Sequence, residues 1–458
     1  MAGGMHRALC PVEKLYVGQR SRAVLSCTLR GQVDAGALSA AFDAVAQTHP
    51  TLRARIAPDG QGFALHLLAE DERPRLITRT GGEEAYAAEL NTPLPVGGPL
   101  SRAVLVSAPE GDRHLFVLVV DHTVTDGHSS IAVHNTLWDH YRALVEGGAD
   151  KGEPAAAGPA AAVPGGGADS PGWPRPVSRL LPDADPAATA AYLERRVEEV
   201  RRHPVQLVPY DVPRPAGTGA RPGAEPAGDG RIEVCRLTLD EERTTRLRRT
   251  ARGAGLSVHS LVAASLLTTA RRRLEGDGPR TLGCLSPVDL RSRLSPPLPA
   301  SVMVPAVTTH LQTVDVATDT DPTALARTVH TRLRDFIARA DQYHEMRITP
   351  EIPRNPALQL ATVIATNMGV VPGPRLPAGL HATDVRLVPA REDYFPQAGR
   401  SPVMACVVSF GGRLAIEFPH FTACFSPSFM RAFRDDVLTG LLALTDVSEP
   451  LPAPANAR

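Results

Sequence analysis

The stretch HLFVLVVDHTVTDGHSSIAVHNTLWDHYRALV, residues 114–145, decides the fold class. Its apolar, β-branched run 115–120 predicts a buried strand, and after a polar loop the apolar residues recur at helical spacing. His122 therefore stands between the end of a strand and the start of a helix, where reactive groups are often presented. Gly127 would permit a tight turn that a Cβ resists, and Ser129 is a candidate N-cap.

The same alternation of strands and helices recurs along the rest of the chain. Further strands are predicted at 24–29, 52–56, 63–78, 101–107, 232–239, 281–286, 301–313, 360–365, 404–410 and 414–418. Further helices are predicted at 34–49, 186–202, 240–252, 257–274, 321–340 and 427–444. Interleaved strands and helices in both halves predict an α/β (α+β) protein.

Two compositional breaks predict the domain boundaries. Residues 147–176 are almost entirely Ala, Gly and Pro, too poor in large apolar side chains to form a core. This predicts a first domain at 1–146, a linker, and a second domain at 177–458. A second stretch of similar composition, 213–230, predicts a flexible insert in the second domain.

Bulk composition excludes several classes of protein. The 49 basic and 49 acidic residues cancel, so no global charge attracts the chain to nucleic acid or anionic membrane. There is no run of 18 apolar residues and no apolar signal segment at the N-terminus, so neither a membrane span nor a secretory signal is predicted. The six cysteines are scattered and form no CxxC pair, which is typical of reduced thiols. We expect a cytoplasmic protein.

The loop after the predicted central strand contains a HxxxDG pattern. Its residues are His122, Asp126 and Gly127. An imidazole with an ordinary pKa near 6.5 is suited to general acid–base chemistry at neutral pH. The alternative is a surface histidine beside a helix-capping aspartate, and the short pattern alone leaves both interpretations open.

Other candidate sites are weaker. His128, His134 and His140 are spaced by six residues, so they fan around a helix instead of converging on a metal. No HExxH, GxSxG, phosphate-binding or dinucleotide-binding motif occurs in its required context, so no metal or cofactor is expected. No Ser or Cys is marked as an activated nucleophile, which disfavours an acyl-enzyme intermediate. Asp289 and Arg291 suit a local ion pair or part of a site.

Several segments together resemble one family, the condensation-domain superfamily of acyltransferases. The loop 121–127 is similar to its HHxxxDG motif. The resemblance extends over nearly the whole chain apart from the linker, in the segments THPTLRARI, PVGGPLSRAVLV, PVDLRSRL, TNMGVV and VVSFGGRLAIEF. The DLR and TNMG segments and the length are most similar to the polyketide-associated, phthiocerol dimycocerosyl transferase-like acyltransferases.

This resemblance implies a fold and roles for individual residues. The fold would be two chloramphenicol-acetyltransferase-like lobes that form a V-shaped pseudo-dimer, with a tunnel at their interface and a crossover segment within 395–420. His122 would deprotonate the acceptor, and Asp126 would have a structural role, for which we propose Arg291 as the ion-pair partner. Amides near Gly127, or Asn367, are candidates to stabilise an oxyanion.

The expected reaction moves an acyl chain from a thioester on an acyl carrier protein or coenzyme A to a hydroxyl or amine. The product would be an ester or amide in specialised-metabolite or lipid biosynthesis, made by a monomer. One departure from the family is Asp121, which replaces the first motif histidine. Neighbouring strand residues face opposite sides, so we expect Asp121 to point away from the tunnel. Cyclisation of a carrier-tethered chain and a non-catalytic carrier-protein-binding module are the alternatives.

Overall fold

The computed structural model describes residues 6–60, 62–82, 84–147, 172–212, 230–391 and 400–446. The strands are β1 His6–Ala8, β2 Ser21–Arg30, β3 Ala54–Asp59, β4 Gly62–Leu67, β5 Leu76–Thr80, β6 Ser101–Ser107, β7 Arg113–Asp121, β8 Val208–Pro209, β9 Ile232–Leu239, β10 Arg280–Asp289, β11 Val307–Val316, β12 Val363–Val370, β13 His381–Arg391, β14 Arg400–Ser401, β15 Val403–Phe410 and β16 Arg413–Phe421. The α-helices are α1 Pro11–Gln19, α2 Ala35–Thr48, α3 Glu84–Asn91, α4 Gly127–Gly147, α5 Pro186–Arg202, α6 Glu241–Gly253, α7 Val258–Arg271, α8 Pro322–Ala338, α9 Asp341–Arg347 and α10 Pro427–Asp446. The predicted α/β class is confirmed.

Two mixed sheets form the framework. The first has the strand order β13-β2-β7-β6-β5, and the second has the order β11-β10-β12-β15-β16-β9. Helices α2 and α4 pack on the first sheet, and α6, α7, α8 and α10 pack on the second. The remaining sheet faces meet in a separate apolar cluster that joins Val117 and Val388 to Ile232 and Cys406. Two helix-covered sheets that face each other form the pair of lobes implied by the family resemblance.

The predicted central strand is confirmed as β7. It pairs with β2 on one side and β6 on the other, and its residues 116–120 are buried. Phe116 and Leu118 face the core beneath α2 and α4, whereas Val117 and Val119 face the second sheet. Burial on both faces explains why the strand is a continuous apolar run instead of an alternating one.

The crossover between the two halves lies upstream of its predicted position. Strand β13 comes from the second half of the chain but pairs antiparallel with β2 along the edge of the first sheet. The described residues of the predicted segment 395–420 instead form β14, β15 and β16, of which the last two belong to the second sheet. An edge strand supplied by the other half ties the two lobes together.

The predicted linker and insert fall mostly outside the described residues. Residues 148–171 of the linker 147–176, and 213–229 of the insert 213–230, belong to that part of the chain. The division into a first domain at 1–146 and a second at 177–458 stays a prediction.

Helix α1 was not predicted. Its capping box provides the local reason for the helix: Glu13 accepts a hydrogen bond from the N–H of Cys10 at 2.7 Å, and Pro11 occupies the first helical position. Glu13 also accepts from Arg7 at 2.7 Å, and both side chains are buried. The helix has only nine residues and a weak apolar stripe, so its periodicity gave little signal.

Among the described residues, no single helix is long and apolar enough to cross a membrane. Helices α6 and α7 would meet that criterion only when taken together, across a bend of 100°.

Candidate active site

The loop between β7 and α4 is held by hydrogen bonds at both ends. The N–H of His122 donates to the carbonyl oxygen of Ser21 on β2 at 2.8 Å, which extends the sheet by one residue beyond β7. The N–H of Thr123 donates to Asp121 Oδ1 at 2.9 Å. At the helical end, Thr125 Oγ1 lies 2.9 Å from Ser129 Oγ. The motif residues are therefore fixed by the surrounding backbone.

Asp126, and not Ser129, is the N-cap of α4. Because Gly127 is the first helical residue, Ser129 is the third. Asp126 Oδ1 accepts a hydrogen bond from the N–H of Ser129 at 2.8 Å, and Ser129 Oγ accepts one from the N–H of Asp126 at 3.0 Å. This reciprocal arrangement is a capping box, and it replaces the predicted Ser129 cap.

Asp126 also joins the two halves of the chain through Arg291. The guanidinium donates to Asp126 Oδ2 from Nη2 at 2.9 Å and from Nε at 3.1 Å. The same carboxylate oxygen accepts from the N–H of Ala306 at 2.9 Å. Arg291 also donates to the carbonyl oxygens of Val302 and Val304, at 3.0 and 2.9 Å. Both charged groups are buried, so their main contribution is to position the loop.

His122 lies on the wall of a cavity of about 580 Å³. The ring is partly enclosed by protein, with its Nδ1 buried. Burial lowers the pKa of His122 to about 4, assisted by the charge of Arg391 and opposed by that of Asp126 and by backbone carbonyls. The imidazole is therefore neutral at pH 7 and able to accept a proton.

Tyr16 of α1 stacks directly on this imidazole. The two ring centroids are 4.3 Å apart and the planes differ by 9°. Burial raises the pKa of Tyr16 to about 12, so its hydroxyl keeps its proton at neutral pH. No sequence pattern indicates a role for Tyr16, because the contact joins distant parts of the chain and α1 itself was not predicted.

A glycine is needed at position 127 because side chains from the second half of the chain approach its backbone closely. A Cβ at this position would lie 2.5 Å from Met368 Sδ and 3.2 Å from Leu387 Cδ2. Its φ is not in the left-handed region, so a Cβ is excluded by this packing and not by the backbone conformation. The glycine instead allows residues from β12 and β13 to reach the start of α4.

Both halves line the cavity. Among the predicted site residues, His122, Asp126, Gly127 and Asn367 lie on its wall, whereas Asp121 and Arg291 do not. Asn367 Oδ1 accepts a hydrogen bond from the N–H of Gly369 at 2.8 Å, which directs the Nδ2 donor elsewhere. Much of the remaining wall is apolar and includes Leu285, Ile364, Met404, Val407, Phe421 and Met430.

The other histidines of α4 do not form a metal site in the described structure. His134 is buried between two side-chain partners: its Nε2 accepts from Trp138 Nε1 at 3.0 Å, and its Nδ1 lies 3.0 Å from Asn135 Oδ1. Among the described residues, no group of three or more His, Cys, Asp or Glu side chains is placed to hold a metal ion.

The sequence and the fold both match known proteins. Residues 228–419 match the family model for the C-terminus of phthiocerol/phthiodiolone dimycocerosyl transferase. A transferase of that name from Mycobacterium leprae is 26% identical over 348 residues, which cover 74% of each chain. Polyketide synthase associated protein 5 from Mycobacterium tuberculosis has a similar structure, with a TM-score of 0.67 and 22% identity over 95% of this chain and 98% of that one. The first condensation domain of the CDA synthetase gives a TM-score of 0.67 with 18% identity, covering 97% of both chains.

The chain is similar in sequence to the polyketide-associated acyltransferases and shares the fold of the condensation-domain superfamily. In this acyltransferase the position of the first motif histidine is occupied by Asp121, whose carboxylate caps the N–H of Thr123 and lies outside the cavity wall. The orientation of Asp121 away from the site stays a prediction.

Proposed function

We propose that His122 is the general base in direct acyl transfer from a thioester to a hydroxyl or amine. The observation that carries this proposal is the neutral imidazole of His122 on the wall of a cavity lined by both halves. Nε2 takes the proton of the acceptor as its oxygen or nitrogen attacks the thioester carbonyl carbon. The tetrahedral intermediate then expels the thiolate, which takes the proton back from His122. The donor carrier is coenzyme A or an acyl carrier protein.

Two groups near His122 suit the charge that develops on the thioester oxygen. The first amides of α4, at Gly127 and His128, are the unpaired donors of a helix N-terminus, where the helix dipole also favours negative charge. Asn367 Nδ2 is the second candidate donor on the cavity wall. The same helix terminus disfavours a positive imidazole, which keeps His122 in its basic form.

Direct transfer is also favoured over an acyl-enzyme intermediate. Cys406 lies on the cavity wall, but burial raises the pKa of its thiol, assisted by the charge of Glu417. A protonated thiol is a poor nucleophile. The alternative of a carrier-binding module without chemistry requires His122 to be packed into the core, whereas its ring borders an open cavity.

The test is product analysis with a panel of acyl-coenzyme A and acyl-carrier-protein donors, each with alcohol and amine acceptors. His122→Ala should lower the rate by about 10²–10⁴-fold, the usual contribution of a general base, with the melting temperature retained. His381→Ala is the matched control, because His381 is exposed at the start of β13. Equal turnover by His122→Ala and the unmodified protein would remove His122 from the mechanism. Gel filtration tests the predicted monomer.

A further inference from the structure

A second histidine of the cavity wall has a buried acceptor nitrogen without a partner among the described residues. His420 lies on β16 and is only 4% exposed. Its Nδ1 lies 3.1 Å from the carbonyl oxygen of Phe418, and since a carbonyl only accepts hydrogen bonds, Nδ1 carries the proton. In the neutral ring Nε2 is then an acceptor. Nε2 is buried, has no hydrogen-bond partner among the described residues, and belongs to a residue of the cavity wall.

Two other buried histidines, His114 and His134, bond both of their ring nitrogens. His114 bonds Ser107 Oγ at 2.8 Å and the carbonyl oxygen of Gly31 at 3.0 Å. His134 bonds a side chain through each of its nitrogens. A buried acceptor without a donor destabilises a fold, and native structures rarely keep one without a use. His420 therefore differs from these two core histidines, and it is also a residue of the cavity wall.

The position of His420 is distant from His122 within the same cavity. The antiparallel pair Cys406↔Glu417, continued by three residues, puts His420 beside Val403. Asn367, which lies in the part of the wall near the motif, is level with Val407. The four residue steps from Val403 to Val407 span roughly 13 Å of strand. A ligand that reaches both histidines must be an extended chain.

Most cavity-wall residues of the segment that contains His420 are apolar, and they include Val403, Met404, Cys406, Phe421, Phe425 and Met430. Burial lowers the pKa of His420, opposed by its bond to Phe418 and by the charges of Glu233 and Asp211. The imidazole is thus a single neutral acceptor in an apolar arm, and it matches a chain with one O–H or N–H group.

We propose that His420 Nε2 accepts a hydrogen bond from an O–H or N–H group on the thioester substrate, several bonds from the reacting carbonyl. This inference rests on the proposed transfer site. Two parts of the substrate supply such a donor: a hydroxyl on the acyl chain, or an amide N–H on the pantetheine arm of the carrier. In either case His420 is a specificity residue and takes no part in bond making.

Binding is measured by calorimetry in the His122→Ala background, so that no turnover is needed. The ligands are octanoyl-coenzyme A, its analogues with one hydroxyl at successive carbons, and the ethanethiol ester of octanoic acid, which has no amide. Each is tested with His420 intact, with His420→Leu and with His420→Gln. Leu cannot accept a hydrogen bond, whereas Gln keeps an acceptor oxygen and serves as the matched variant.

The two sources give different results. If the acyl chain supplies the donor, one hydroxylated analogue binds about fivefold to tenfold more tightly than octanoyl-coenzyme A, as expected for one hydrogen bond, and His420→Leu abolishes this preference. If the pantetheine arm supplies it, His420→Leu weakens every coenzyme A ester by a similar factor and leaves the ethanethiol ester unchanged. His420→Gln should retain part of either effect.

Unchanged affinities for all ligands in folded His420→Leu and His420→Gln would overturn the proposal. A shift of the ¹⁵N resonance of His420 Nε2 on ligand addition provides a check that needs no variant, and its absence at saturation would count against the proposal too. If His420→Leu abolishes the binding preference but no assay detects acyl transfer, the proposed reaction is refuted and the subsite is kept. If acyl transfer is detected but the His420 variants bind every ligand with unchanged affinity, the subsite alone is refuted.

Discussion

Arg291 Nη2 lies 2.9 Å from Asp126 Oδ2, although the two residues come from different halves of the chain and 165 positions separate them. The contact joins the 3-10 turn after β10 to the N-cap of α4. It therefore couples the docking of the two halves to the position of the loop that presents His122.

Breaking this pair should destabilise the whole protein. Asp126→Ala and Arg291→Ala should each lower the free energy of unfolding by about 3–5 kcal/mol, because each leaves a buried charge without its partner. The double variant should lose less than the sum of the two, as measured by urea denaturation. Arg354→Ala is the control, since the Arg354–Glu351 pair is exposed and should contribute about 1 kcal/mol or less. Additive effects would show that the contact is not energetically coupled.

The pH dependence of acyl transfer should lack the usual histidine inflection. Burial lowers the pKa of His122 to about 4, so the basic form dominates above that pH and is lost as the pH falls through about 4. Between pH 5.5 and 8 the rate should therefore show no transition centred near 6.5, the ordinary pKa of histidine. NMR titration of the imidazole, assigned with His122→Ala, measures the pKa directly. A transition near pH 6.5 would show that burial does not depress the pKa of His122.

The aromatic ring of Tyr16, and not its hydroxyl group, should support catalysis by stacking on His122. Tyr16→Ala should lower kcat by about tenfold, since loss of the aromatic pair frees the imidazole to rotate away from the cavity. Tyr16→Phe keeps the ring and should remain within about threefold of the unmodified protein. Steady-state kinetics of both variants distinguish the two contributions. An equal loss in both would assign the effect to the hydroxyl.

Local patterns were sufficient to predict β7, α4 and the motif residues, because each depends on periodicity and on neighbours in sequence. The family resemblance supplied Arg291 as the partner of Asp126, which no local pattern could provide. No sequence pattern predicted Tyr16 or His420. The role of each depends on contacts that exist only after folding. Strand β13 was missed for a related reason: its partner β2 lies at the other end of the chain.

Gly127 provides a test of how tightly the second half packs on the motif. In Gly127→Ala the new methyl group would lie 2.5 Å from Met368 Sδ and 2.8 Å from Met368 Cε, so the Met368 side chain or the start of α4 must move. We expect a loss of about 1–3 kcal/mol in the free energy of unfolding, the usual cost of overpacking, and a lower rate of acyl transfer.

Two further variants separate this clash from the general effect of replacing a glycine in α4. Gly147 is in the same helix but has no atom within 4 Å of an added Cβ, so Gly147→Ala should be neutral or slightly stabilising. Met368→Ala removes the clashing atoms, so in the double variant the Gly127→Ala substitution should cost much less than it does alone. Thermal or urea unfolding of the four proteins measures this difference. If Gly127→Ala behaves like Gly147→Ala, the contact between Met368 and α4 is loose and does not help to position the motif loop.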